Sequence, residues 1–224
     1  MITQAHILGK DECLLVDCQN GFRLLPEVCN AFKQMQVAAA QDNVDIQIVS
    51  SYRSFDRQLQ IWQNKWSGKA TLLDVNEMRL DASTLSEQEK ILAILTWSAL
   101  PGASRHHWGT DLDVYDKKSI EQSHHDFQLV CSEYDQGPCT LLNNWLNKHA
   151  AKFGFTQPYS EFNGGIAREP WHLSFQSSAD KMIALQDEHM LMANLKKSDI
   201  LGLDCIISNM SNIYQRFILN RGLL

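Results

Sequence analysis

No part of this 224-residue chain approaches the roughly 18 consecutive apolar residues that a membrane-spanning helix needs. It also has no block of about five basic residues of the kind that grips nucleic acid. With a net charge of −6 and a pI near 5.7, the chain has no bulk field to attract a polyanion, so no nucleic-acid partner and no membrane span are expected. Its six cysteines form no C-x-x-C pair, which excludes the usual cysteine-built structural zinc site. Most of them are expected to be free, buried thiols. Cys131 and Cys139, which bracket Gly137-Pro138, are the candidates for a short loop disulfide in an oxidising compartment. Met1 to Lys10 lacks the basic stretch and long apolar run of a secretion signal. The chain as written therefore reads as cytoplasmic, with a periplasmic location as the alternative. No internal repeat or low-complexity segment interrupts it.

The chain contains 44% hydrophobic and 21% charged residues, the balance of an ordinary globular protein able to bury a core. Leu25, Val28, Phe32, Met35 and Ala39 fall at helical spacing, with Pro26 suited to a first turn, and predict a helix over 25–41. Val44, Ile46 and Ile48 alternate with polar residues and predict a strand leading into Ser51-Tyr52-Arg53. From Ser54, a good N-cap, the stripe Phe55, Leu59, Trp62 and Trp66 predicts a second helix, which puts Arg53 at a strand-to-helix junction. Residues 67–84 show no periodicity and read as a surface excursion that could wall a cleft. Ser86-Glu87-Gln88-Glu89 is a capping box opening a helix that Pro101-Gly102 ends. Over 110–115, Leu112 and Val114 would face one side of a strand, Asp111 and Asp113 the other. A helix over 140–153 stops at Gly154. A last strand points Trp171, Leu173 and Phe175 one way and His172 and Ser174 the other. Two further helices are predicted at about 178–195 and 198–219. The pattern is that of an α+β protein, a small antiparallel sheet flanked by helices, with residues 1–177 as one domain and 178–224 as a helical extension packed on it.

Two segments carry chemistry. In Ser104-Arg105-His106-His107-Trp108-Gly109-Thr110-Asp111-Leu112-Asp113, histidines precede a glycine bend and a carboxylate follows on a strand. In Glu169-Pro170-Trp171-His172, a carboxylate stands three residues before another histidine. A catalytic zinc takes three protein ligands of the His and carboxylate type and keeps one position open. His106 or its neighbour His107, together with Asp113 and His172, would supply them. On a regular strand Glu169 and His172 would face opposite ways. Pro170 holds Glu169 extended just outside the strand, so the carboxylate is free to lean toward the metal as a general base. The other histidines (His6, His149, His189, and the loop pair His124 and His125) read as ordinary polar residues.

Together these segments resemble the D-Ala-D-Ala carboxypeptidase (VanY-like) family of zinc metallopeptidases, which shares its fold with hedgehog signalling domains. Ser104, His106, Gly109 and Asp113 match the family's S-x-H-x-x-G-x-x-x-D, and Glu169-Pro170-Trp171-His172 matches its E-P-W-H. Ser51-Tyr52-Arg53-Ser54 with Gln58 is similar to its S-x-Y-R-S-x-x-x-Q segment. The resemblance covers about residues 24–176. It implies a Zn²⁺ held by His106, Asp113 and His172, with Glu169 as catalytic base. Arg53, Gln58 and Ser104 would hold the substrate's terminal carboxylate or polarised carbonyl, Arg53 also serving catalysis. The implied substrate is a peptidoglycan stem peptide or its fragment that loses a C-terminal D-Ala. A D-Ala-D-Ala dipeptidase, an L,D-carboxypeptidase, a stem-peptide endopeptidase and a non-catalytic zinc-dependent binding module are the alternatives, and either a monomer or a homodimer is compatible. Asp111 departs from the small residue usual two positions before the metal aspartate. It is expected to accept a hydrogen bond from His106, the alternatives being a contact to a cationic substrate group or to solvent.

Overall fold

The computed structural model describes residues 1–124 and 126–223, so His125 lies outside the described residues. Along the chain, a short helix α1 (Gln4–Ile7) leads into a hairpin of β1 (Val16–Gln19) and β2 (Phe22–Leu24). Helix α2 (Pro26–Gln41), strand β3 (Ile46–Ser50) and helix α3 (Phe55–Trp66) follow, then a small hairpin, β4 (Leu72–Leu73) and β5 (Arg79–Leu80). Helix α4 (Glu87–Trp97) precedes a 3₁₀ turn at Arg105–Trp108 and strand β6 (Asp111–Asp116). Helices α5 (Lys117–Ser123), α6 (Cys131–Asp135) and α7 (Thr140–His149) and strand β7 (Phe155–Thr156) come next. Strand β8 (His172–Phe175) closes the sheet, and α8 (Gln176–Ile183), α9 (Glu188–Leu195), α10 (Leu203–Ser208) and α11 (Met210–Ile213) finish the chain.

The principal sheet runs β3-β6-β8-β7, every neighbour antiparallel. One face of its central strand β6, Leu112 and Val114, enters a core with α2 and α7 that includes Phe32, Met35, Leu142 and Leu146. Asp111 and Asp113 occupy the opposite face, also buried. The alternation expected from sequence is therefore present, and both faces are covered. A second core joins α3 and α4 (Trp62, Ile94, Leu95) to Leu191, Leu195, Ile206, Ile213 and Phe217 from the C-terminal helices. Burial of these side chains contributes about 25 cal/mol per Å² of apolar area removed from water, so the C-terminal helices are fastened to the wall of the cleft that α3 and α4 form.

Several expectations are corrected. The disulfide joins Cys18 to Cys29, whose Cα atoms lie 5.4 Å apart, because the β1–β2 hairpin folds back on the first turn of α2. Cys131 and Cys139 are both free. Cys131 Sγ instead donates to the Arg168 carbonyl at 3.2 Å. Of the four free thiols only Cys139 is buried. Residues 67–84 contain the β4–β5 hairpin, seated by the buried side chain of Leu72. The helix expected to reach 153 passes into a 3₁₀ turn at Ala150–Phe153. The two C-terminal helices predicted at 178–195 and 198–219 are four shorter ones and a wider π turn at Tyr214–Ile218. Gly202, at φ +78°, breaks the second stripe: a Cβ there would lie 2.1 Å from the ring of Trp66.

Candidate metal and substrate site

Register does most of the assembly. In the β6–β8 ladder Asp113 stands opposite His172 and Asp111 opposite Ser174, and directly opposed residues of an antiparallel pair have Cβ atoms about 4.5–5.5 Å apart. The second imidazole comes from the 3₁₀ turn before β6. Gly109 makes the bend back into the strand at φ +66°, where a Cβ would collide with Leu15. Three bonds tie this turn to the Ser51–Arg53 segment. His106 Nδ1 donates to the Ser51 carbonyl at 2.9 Å, Arg53 N donates to the His106 carbonyl at 3.1 Å, and His107 Nδ1 donates to the Arg53 carbonyl at 2.6 Å. A bulge between Ile48 and Ser50 turns the end of β3 toward the cleft.

The result is a buried triad. Ligand atoms of His106, Asp113 and His172 all lie within 4.8 Å of one another, and the two rings meet edge to face with centroids 5.0 Å apart. Proton positions follow from their partners. The His106 Nδ1–H points at a carbonyl, which leaves the Nε2 lone pair facing Asp113 Oδ2 at 3.4 Å. His172 Nε2 donates to Asp111 Oδ1 at 3.0 Å, and its Nδ1 faces Asp113 Oδ1 at 3.1 Å. Both imidazoles thus have one nitrogen tied outside and one turned into the same space, as metal-binding histidines require. The donor set of two imidazoles and one carboxylate fits a zinc site. His107 is excluded as a ligand: with Nδ1 donating to Arg53, its Nε2 accepts the Gly102 N–H at 3.0 Å.

Asp111 has a different role from the one expected. It bonds His172 and not His106, and it also accepts from Arg105 Nε at 2.7 Å and from the Thr110 hydroxyl. Arg105 in turn donates to Ser174 Oγ at 2.6 Å. Although burial opposes its ionisation, Arg105 and His172 hold the Asp111 carboxyl far below the usual carboxylate range. For His172, burial works against the charged ring, yet bonds from Asp111 and Asp113 push it up to about 10. Burial takes His106 the other way, down to about 4.

Glu169 precedes β8 in a turn closed by the His172 N–H to the Glu169 carbonyl, 3.1 Å, with Pro170 at the second position. This turn, and not extension alone, brings Glu169 Oε2 within 3.6 Å of His172 Nδ1. Arg168, next to it, forks onto Asp135 with bonds of 2.8 and 2.7 Å, and Trp171 lies between Trp97 and Tyr134. The loop is therefore clamped on both sides of the glutamate. Burial raises the Glu169 carboxyl to about 7.

A cavity of about 300 Å³ opens over the triad, lined among others by Arg53, Lys65, Ser104 and Tyr159. Arg53 Nη1 donates to Gln58 Oε1 at 2.8 Å and Nη2 to Ser50 Oγ at 3.1 Å. Gln58 is fully buried and spends its amide on the Ala99 carbonyl, 2.7 Å. It orients Arg53, and of the three residues expected to hold substrate Arg53 and Ser104 line the cavity while Gln58 does not. Sequence reasoning overlooked Lys65, Tyr159 and Arg105. For Lys65 a signal existed, since Gln58, Ile61 and Lys65 share a helical face at offsets of three and seven. Tyr159, its ring tilted against that of His172 with centroids 4.8 Å apart, sits in an irregular loop that gives no pattern. Outside the cleft, His149 contacts Lys152 and the ring of Trp145, and His189 is exposed.

The fold defines the class of protein. It is similar to the crystal structure of a mutant of the vancomycin-resistance D,D-pentapeptidase VanY in complex with Zn(II) (TM-score 0.52, 23% identity, covering 75% of this chain and 83% of that one). It is equally similar to the LD-carboxypeptidase LdcB (TM-score 0.54, 22% identity, 86% and 82%). This is the D,D-peptidase fold. Residues 21–178 match the VanY D-alanyl-D-alanine carboxypeptidase family model, and the chain belongs to that family of peptidoglycan peptidases. An uncharacterised Haemophilus influenzae protein is 32% identical over 126 residues, 55% of this chain and 95% of that one. The D-alanyl-D-alanine carboxypeptidase of Enterococcus faecalis is 26% identical over 165 residues, 72% of this chain and 51% of its own length. The chain spans about half the length of that relative. No helix among the described residues is long and apolar enough to cross a membrane.

Proposed function

We propose that this protein is a zinc-dependent carboxypeptidase that removes a terminal D-Ala from peptidoglycan stem peptides or their fragments, with residues 1–177 as the catalytic domain and 178–224 as an extension packed on it. The observation that carries the reading is Glu169: a buried carboxyl held at about 7, 3.6 Å from a nitrogen of the proposed ligand His172. His106 Nε2, Asp113 and His172 Nδ1 would hold the metal. Zinc bound there supplies a Lewis acid that polarises the scissile carbonyl and eases deprotonation of water. Glu169 takes the proton of the attacking water on its carboxylate and delivers it to the leaving amine. A base poised near neutrality suits both transfers. Arg53, kept in place by Gln58 and Ser50, presents its remaining N–H groups to the substrate's terminal carboxylate or to the oxyanion. Ser104 lines the same wall. Support from relatives is consistent: an Enterococcus gallinarum protein 26% identical over 155 residues is a bifunctional D-Ala-D-Ala dipeptidase and carboxypeptidase.

The test is Glu169→Gln, assayed for D-Ala release and for bound metal. Turnover should fall by about 10²–10⁴-fold with the zinc content of the wild type. Cleavage at the wild-type rate would overturn the reading.

A further inference from the structure

The connection from β7 to β8, residues 157–171, carries both Tyr159 and Glu169 into the cavity. Its tip is in solvent: Ser160, Glu161, Phe162 and Asn163 are all exposed, and Phe162 joins neither core. At its base the connection closes on itself. Glu169 N donates to the Tyr159 carbonyl at 2.9 Å, and Gln157 Nε2 to the Pro170 carbonyl at 2.8 Å. The returning limb is tied to the body of the protein through Ala167 N, which donates to the Thr96 carbonyl at 2.8 Å, and through the Arg168–Asp135 fork.

The outgoing limb is held from another direction. Among the described residues, every hydrogen bond that residues 158–165 make outside their own connection runs to the C-terminal segment, residues 216–223. Asn220 Nδ2 donates to the Pro158 carbonyl at 3.1 Å, immediately before Tyr159. Asn163 Nδ2 donates to the Asn220 carbonyl at 2.9 Å, Leu223 N to the Asn163 carbonyl at 3.1 Å, and Arg216 Nε to the Gly164 carbonyl at 2.5 Å. The two segments meet backbone to backbone. A Cβ at Gly165 would lie 2.6 Å from the Arg216 carbonyl oxygen, and one at Gly222 2.2 Å from the Asn163 carbonyl oxygen, an approach that only glycine permits. Ile166 both lines the cavity and packs against the core of the C-terminal helices.

An exposed tip with few core contacts belongs to the low-stability end of a fold. The hold on the outgoing limb therefore reaches the site in two ways. It sets the Tyr159 ring against His172, and it fixes the carbonyl to which Glu169 N is bonded. The holding segment lies outside residues 21–178, the part that matches the family model.

We infer that residues 216–223 are a clamp that positions Tyr159 and Glu169 for the reaction, with Asn220 as its positioning residue, so that turnover depends on the C-terminal extension. The inference rests on the proposed role of Glu169.

The experiment uses the full zinc-loaded chain with Asn220→Gly or Gly222→Ala. The first keeps a residue at ease with the φ of +50° and removes the bond to Pro158. The second wedges the two segments apart. Each should lower kcat for D-Ala release from a pentapeptide stem by about tenfold or more, with KM and zinc content close to those of the wild type. Amide exchange over residues 159–169, followed by mass spectrometry, should quicken in both variants while that of β6 and β8 stays slow. Ile206→Val, which thins the same C-terminal core from α10, should lower stability and keep kcat. Wild-type kcat in both clamp variants, or unchanged exchange, would overturn the inference. So would loss of zinc, or an Ile206→Val protein slowed as much, since the extension would then act only by stabilising the whole fold. If the wild type releases no D-Ala, the peptidase reading fails, and exchange alone decides the clamp: faster at 159–169 in both variants supports it, unchanged overturns it.

Discussion

Among the described residues, two places bring three metal-ligating side chains within 4.8 Å: His106, Asp113 and His172 in the cleft, and His6, Asp11 and Cys13 near the N-terminus. By distance alone they are alike, and the direction of their protons separates them. In the cleft, the outer nitrogens donate to the Ser51 carbonyl and to Asp111, so the inner ones can offer lone pairs. At His6 the order is reversed. Its Nδ1 accepts the Thr3 backbone N–H at 3.0 Å, a group that can only donate, so the neutral ring carries its proton on Nε2. That proton points at Cys13 Sγ (3.3 Å) and Asp11 (3.4 Å). Asp11 also pushes the Cys13 thiol up, away from the thiolate a metal would need. On the proposed reading the first cluster receives an ion, whereas the second closes a hydrogen-bonded corner under α1. Proximity of ligand atoms is therefore a poor criterion, and the partner on the far nitrogen is a better one.

The largest effect that can break this comparison is loss of a ligand. Asp113→Ala or His172→Ala should reduce D-Ala release to background and remove bound zinc, while His6→Ala should keep one zinc per chain by elemental analysis. Loss of zinc from the His6 variant would reverse the assignment of the two clusters. A smaller effect comes with pH. In the proposed mechanism Glu169 works as the deprotonated carboxylate, and burial raises it to about 7, so kcat/KM should fall as pH drops below neutrality. An acid limb in the ordinary carboxylate range would deny Glu169 the role of base. Next, Asp111→Asn leaves the shape of the β6–β8 pair and removes the charge behind His172. Zinc affinity in competition with a chelator should weaken about 10–100-fold, and an unchanged affinity would show that Asp111 serves only Arg105. The smallest effect belongs to the other cluster: Thr3→Ala removes the hydroxyl next to His6 and should cost about 1 kcal/mol of stability in denaturant unfolding with zinc content as in the wild type.

Much of the cleft was legible in the residues. The alternation of Asp111, Leu112, Asp113 and Val114 put both carboxylates on one face of a strand, and Ser54 and Ser86 marked the helix starts where Arg57 N and Glu89 N are capped. Such features are local, spanning one or two turns of chain, and a period or a cap reports them directly. The disulfide was illegible for the opposite reason. Cys131 and Cys139 are close in sequence, but Cys18 and Cys29 were brought to 5.4 Å by how a hairpin packs on a helix. Asp111 was assigned to the wrong imidazole because the β6–β8 register, which sets His172 opposite Asp113, is a long-range choice.

The sequence by itself determined which side chains carry chemistry and which face of its own element each occupies, since helical and strand periods are properties of the nearby backbone. Tertiary structure decided which of them meet: the pairing of Asp113 with His172, the nitrogen each histidine turns inward, and the gathering of Arg53, Lys65 and Glu169 around one cavity. Those outcomes depend on strand register, on burial and on packing between segments a hundred residues apart, where the free energy of the whole fold selects the contact.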